Sequence, residues 1–177
     1  MSVTTLALAK SYLRIGHTSE DTLIQKMLDG AEDFVSQLFG LEFEVAEISE
    51  YLDGGGVALW LRRAPIISVT SVYDAESEET ISTTAWTWRG CAQVFQVGMD
   101  PWLAGRRRYL VGYQAGFSTV PPSVTDGILS LVRRTFDQRG EVSSESASGW
   151  SVVWNDLMRG DAAQAFSGYT TRPLGVG

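Results

Sequence analysis

Residues 18–40, TSEDTLIQKMLDGAEDFVSQLFG, decide the class of the fold. Leu23, Met27, Ala31, Phe34 and Leu38 recur at i, i+4, i+8, i+11 and i+15, the spacing of one helical face, and Ile24, Leu28 and Val35 widen that stripe. Thr18-Ser-Glu-Asp21 has the form of a capping box: a hydroxyl at the N-cap and negative charge where the helix dipole favours it. Gly40 supplies the stop. The pattern predicts a helix over 18–39. Its apolar face is wider than one contact needs, so two readings stand together: a central core helix, or a helix covered on a second side by a neighbouring subunit.

On the N-terminal side, Leu6, Ala9, Tyr12 and Leu13 predict a short helix over 4–15, capped by the preceding threonines and ended by Gly16. On the C-terminal side the period drops to two from Glu42 to Tyr113. Candidate strands are Glu44–Leu52, Val57–Arg62, Ile66–Tyr73, Ala85–Arg89, Gln93–Val97 and Arg107–Tyr113. Asp53-Gly-Gly-Gly56 is expected to join the first two as a hairpin, because glycine accepts the positive φ of tight turns. A phosphate cradle is a poor reading of that run, since no Lys-Ser/Thr and no helix follow it.

Pro121-Pro122 then opens a second long helix over 122–139, with Val124, Ile128, Leu131, Thr135 and Phe136 on its inner face. Gly127 costs this helix about 1 kcal/mol relative to alanine, which points to a packing site where another backbone approaches closely. The fold class is therefore α+β: a small helical bundle with a β-strand/hairpin insertion at 42–113. Residues 1–140 form the core. Residues 141–177, with six serines and five glycines punctuated by Trp150, Trp154, Leu157, Phe166 and Tyr169, read as an extended C-terminal arm with anchors. Those five residues are the partner-binding candidates, and the competing reading folds the tail over its own domain.

Composition narrows the chemistry. The chain has 177 residues with a single cysteine, Cys91, and a single histidine, His17, which excludes an intrachain disulfide and multi-His or multi-Cys metal sites. The net charge of −7 argues against general nucleic-acid binding, and it is unevenly spread. Residues 1–80 hold 14 acids and 5 bases, a net of −9; residues 81–177 hold 7 acids and 9 bases, a net of +2. Apolar runs reach only about five residues, far short of the ~20 that span a bilayer, so a soluble, unprocessed protein without a membrane partner is expected.

No catalytic constellation is legible: there is no Gly-x-Ser-x-Gly elbow, and His17 lies in a turn without an identifiable acid partner. No cofactor or metal is expected. Asp74, Glu76, Glu78 and Glu79 lack calcium-loop spacing and read as a solvated turn. Arg106-Arg-Arg108 is the only basic run; strand alternation would set Arg106 and Arg108 on one face, where they meet acidic side chains within or between subunits. Trp86 and Trp88 share a strand face and serve as core or subunit contact, or else as a carbohydrate platform. These four are the inter-subunit candidates.

Three stretches together resemble the head-tail connector (adaptor) family of tailed bacteriophages. The first is Leu6-Ala-Leu-Ala-Lys-Ser-Tyr-Leu-Arg-Ile15 with His17, Glu20-Asp21, Leu23-Ile24 and Ala31. The second is Leu59-x-Leu61-Arg62 with Pro65-Ile66, Ser68-Val69 and Ser71-Val72. The third is Tyr113-x-Ala-Gly-Phe117 with Val120-Pro121, Ile128, Leu131, Val132 and Arg139. The resemblance covers roughly residues 4–140 and consists mostly of packing positions. It implies a non-enzymatic virion protein, assembled in the host cytoplasm, whose homo-oligomeric ring, a dodecamer, sits under the portal protein and joins it to a stopper or tail protein. DNA passes through the ring without sequence recognition. Acidic residues lining the lumen would keep the duplex from sticking. A stopper or tail terminator is the neighbouring reading, and a carbohydrate-binding virion module the more distant one.

Overall fold

The computed structural model describes residues 3–89, 92–138, 165–166 and 168–169. It has the expected α+β character, in two compact units. One draws on Met1–Phe39 and Thr119–Gly168, the other on Gly40–Ser118 and Tyr169–Gly177.

The helical unit contains α1 (Leu6–Leu13), α2 (Asp21–Phe39) and α3 (Pro122–Gln138), each packed on the other two. The Thr5 side chain caps α1 by accepting the Leu8 N–H at 3.2 Å. Arg14, in the left-handed conformation at φ 59°, ends it two residues before the expected Gly16. The start of α2 also differs from expectation. Thr18 is not its N-cap; its carbonyl accepts the Asp21 N–H in a turn, and the helix begins at Asp21. That carboxylate pairs with Lys10 Nζ on α1 at 2.5 Å, while Glu32 Oε1 of α2 accepts the backbone N–H groups of Val3 and Thr4. Phe39 is the last helical residue and Gly40 follows at φ 67°.

The second unit holds two antiparallel sheets. The four-stranded one runs β1 (Ala46–Leu52), β7 (Tyr109–Ala115), β3 (Ile66–Asp74) and β4 (Glu79–Thr80); the three-stranded one runs β2 (Ala58–Trp60), β6 (Gln93–Gln96) and β5 (Trp86–Arg89). Their shared core includes Leu59, Val72, Val94, Trp102, Tyr109 and Val111. Ile48, Tyr113 and Val69 line up across the first sheet. Trp102 donates Nε1–H to the Val94 carbonyl at 3.1 Å and meets Tyr109 edge-on at 4.9 Å.

The hairpin expected at 53–56 does not form. β1 pairs with β7 and β2 with β6, so these consecutive strands belong to different sheets. The glycines serve a different need. Gly54 N–H donates to the Gly105 carbonyl and Gly55 N–H to the Trp102 carbonyl, and Trp102 N–H returns to Gly56, all at 2.8–2.9 Å. A Cβ on Gly54 would lie 1.9 Å from the Leu103 carbonyl oxygen. The run is glycine-rich because two backbones touch there.

Candidate assembly surfaces

The wide stripe of α2 divides in two. Ile24, Met27, Leu28, Ala31, Val35 and Phe39 are buried in the helical unit, whereas Leu23 and Leu38 remain 42% and 43% exposed, with Phe34 half-buried beside them. The second apolar side anticipated for this helix exists, and it faces outward. Leu8 and Tyr12 of α1 are also exposed. An open depression of about 430 Å³ lies along α1, lined by Leu6, Ala7, Lys10, Ser11, Ile15 and Asp21.

The basic run is not in a strand. Arg106 and Arg107 occupy a turn, Arg107 at φ 48°, and β7 begins only at Tyr109, so no strand alternation sorts their side chains. Arg108 folds back within the chain. Its Nε lies 3.0 and 3.1 Å from the two Asp74 oxygens, its Nη2 2.8 Å from Oδ2, and its Nη1 reaches Glu76 and the Ala104 carbonyl. Asp74, expected in a solvated turn, is thus buried at the end of β3, and Glu79 pairs across from it in β4. Arg106 is exposed without an acidic partner among the described residues. The Arg107 guanidinium lies 5.0 Å from the centre of the Tyr51 ring, and the Arg107 backbone N–H donates to Asp53 Oδ1 at 2.6 Å.

The Arg108 hydrogen bonds, aided by the Glu76 and Ser77 backbone and opposed by burial, hold the Asp74 carboxyl below its ordinary value. A carboxylate whose pKa is lower folded than unfolded adds stability above the unfolded value and loses it as pH falls through the folded one. Asp74→Asn is therefore expected to be less stable than wild type at pH 7, with the difference closing below about pH 4. Urea midpoints measured for both proteins across that range check this.

Trp86, 7% exposed, belongs to the core with Val94, and half-buried Trp88 packs against that core. Among the described residues the exposed tryptophan is Trp60, at the edge strand β2 opposite Gln93. Alternation in Val57–Leu61, with Leu59 and Leu61 inward, is the signal that singles it out. Tyr113 donates to Glu50 Oε1 at 2.8 Å, and the same oxygen accepts the Arg62 N–H. Burial first, then this carboxylate, push the phenol above its usual range, so it stays a neutral donor.

Of the arm candidates, Phe166 and Tyr169 are described, and both meet their own chain. Phe166 is fully buried, 5.2 Å from the Phe39 ring, with its Cζ where a Gly127 Cβ would stand at 2.6 Å. What approaches Gly127 closely is this ring, a side chain rather than the second backbone expected there. Tyr169 meets Phe117 edge-on at 5.3 Å. Trp150, Trp154 and Leu157 lie outside the described residues.

His17 Nδ1 is 2.7 Å from Ser19 Oγ, and Nε2 is 4.0 Å from Glu20, an acid neighbour that the sequence reading did not find. The ring is 60% exposed and all three groups lie within four residues, which makes this a turn-local contact open to water. Among the described residues no group of three or more His, Cys, Asp or Glu could hold a metal ion, and no helix is long and apolar enough to cross a membrane.

Residues 3–73, from α1 into β3, match the family model described as phage gp6-like head-tail connector protein. Over that stretch the chain is similar to head-tail connectors. No curated protein matches it in sequence. Among solved structures it resembles a chain in the neck of an empty gene transfer agent (GTA) particle computed with C6 symmetry: TM-score 0.58, 15% identity, 92% of this chain and 89% of that one covered. A chain from the virion of a native GTA particle gives 0.57 at 18% identity, covering 88% and 89%. One from the neck of a native GTA particle computed with C12 symmetry gives 0.52 at 17%, covering 89% and 93%. At such identities the likeness is one of fold. The connector match ends within β3, while the fold likeness extends across about nine-tenths of the chain.

Proposed function

We infer that the protein is a structural component of a particle neck, an adaptor whose copies form a ring that joins the portal to a stopper or tail protein and leaves a hole for DNA. The observation that carries this reading is the connector match over 3–73 together with fold likeness to neck chains over 92% of the sequence. The C6 and C12 symmetries of those necks support a ring of twelve copies. The exposed Leu23 and Leu38 flank of α2 supports side-by-side contacts between copies. The protein's place is the virion neck, reached by assembly in the host cytoplasm, and its role involves no bond-making chemistry. Acidic side chains from residues 1–80 line the lumen and disfavour adhesion of the passing duplex.

Two long helices favour an adaptor over a stopper or tail terminator. Burial of Trp86 removes half of the carbohydrate platform. Imaging of the tailed particle tests the proposal: density for this chain is expected in a ring between portal and tail, and a neck lacking it overturns the reading.

Within that reading, Trp150, Trp154 and Leu157 anchor the arm on the portal or on an adjacent subunit. Removing residues 141–177 would also delete the buried Phe166, so Trp150→Ala with Trp154→Ala is the cleaner variant. It is expected to melt like wild type and to attach poorly to portal-bearing capsids in a pull-down. Full attachment would remove the arm's role.

A further inference from the structure

We propose that residues 170–177, which lie outside the described residues, add a strand to the open edge of β1 in their own chain. Among the described residues β1 pairs only with β7, and no backbone hydrogen bond reaches its other side. Arg108 and Gly116, at the two ends of β7, bond toward β3 through the Ala75 N–H and the Pro65 carbonyl. Alternation then turns the backbone groups of Tyr113 and its odd-numbered neighbours toward β1, where Ile48 and the other even-numbered residues meet them. The open edge is therefore built from the N–H and C=O groups of Glu47, Ser49 and Tyr51. Such an edge is a template for another strand.

Tyr169 fixes where the segment starts. Its ring meets Phe117 edge-on at 5.3 Å, two residues past the end of β7 at Ala115. Ala115 is the register partner of Ala46, and Gly116 packs so closely on the Glu44 carbonyl that a Cβ there would overlap it. The anchor thus lies where β1 begins. From there eight residues at about 3.3 Å each reach about 26 Å, and the seven residues of β1 need about 23 Å. Running from Ala46 toward Leu52, the added strand is parallel to β1, a pairing open to segments so far apart in sequence.

The residue pattern suits that place. Thr170, Arg172, Leu174 and Val176 alternate with Thr171, Pro173, Gly175 and Gly177. With the first set on the inner face, Leu174 falls beside Ile48, which packs against the sheet core yet is only partly buried. Arg172 falls at the acidic entry of β1, near Glu44 and Glu47. In a parallel pair, residues on one face point their backbone groups the same way, so Leu174 bonds toward β1 and the Pro173 nitrogen, which has no hydrogen to give, points to solvent. A strand from the same chain on this edge leaves copies to meet through other surfaces.

Hydrogen exchange on the isolated protein tests it. The Glu47, Ser49 and Tyr51 amides are expected to be protected in the whole chain and to exchange at least ten-fold faster after deletion of 170–177, while Leu110 and Gly112, which bond toward β3, stay protected and report an intact sheet. Leu174→Asp with Val176→Asp in the otherwise unchanged chain should give the same loss, and decides the matter if the shortened chain fails that control. Unprotected amides at the three positions in the wild type, or protection unchanged by the double substitution, overturns the inference. Protection that falls on dilution also overturns it, by assigning the edge to a second copy. A neck lacking this chain would overturn the adaptor reading and leave the exchange result standing.

Discussion

Phe166→Ala is expected to destabilise the helical unit by about 3 to 5 kcal/mol, the range for removing a fully buried phenylalanine ring from a core. Phe166 is 0% exposed and its ring lies 5.2 Å from that of Phe39, so truncation leaves a cavity beside α2. Gly127 supplies an internal check. In the wild type, Gly127→Ala would force a Cβ to 2.6 Å from Phe166 Cζ and 3.0 Å from Ala165 Cβ, and should be destabilising. In the Phe166→Ala background most of that clash disappears, and the same change should gain up to about 1 kcal/mol from helix propensity. The two substitutions are therefore strongly coupled. Urea unfolding followed by circular dichroism measures the cycle. A cost below about 1 kcal/mol for Phe166→Ala, or simple additivity, would mean that the ring does not fill this site.

The second large effect lies in the β unit. Gly54→Ala places a methyl 1.9 Å from the Leu103 carbonyl oxygen and 2.8 Å from the Tyr109 ring, against a backbone that hydrogen bonds hold from both sides. The 53–56 and 102–105 segments must separate there, at a cost of about 3 kcal/mol or more. Gly16→Ala is the matched control. Nothing lies within 4 Å of its added Cβ, so its effect should stay within about 0.5 kcal/mol. Equal melting temperatures for the two variants would show that the 53–56 run is an ordinary loop.

Much of this molecule was legible locally. The apolar spacing of 23–39, the prolines at 121–122 and the period-two runs each report an element whose own residues carry its pattern. Boundaries were less legible. Arg14 stops α1 and a backbone turn precedes α2, because hydrogen bonding rather than residue type ends each helix. The three arginines at 106–108 show the same limit from the other side: adjacency suggested one strand, yet Arg108 turns inward to Asp74, 34 residues away in sequence.

What the sequence by itself determined is therefore the inventory: two long helices and one short one, a β insertion, an acidic first half, and more apolar surface on α2 than one core requires. Only the tertiary structure decided which strands pair across sheets, why three glycines stand together, which tryptophans are buried, and that Phe166 fills the space left by Gly127. The reason is physical. Periodicity is written within an element, but pairing and burial depend on what arrives from elsewhere in the chain, and a residue's type does not record its distant neighbour.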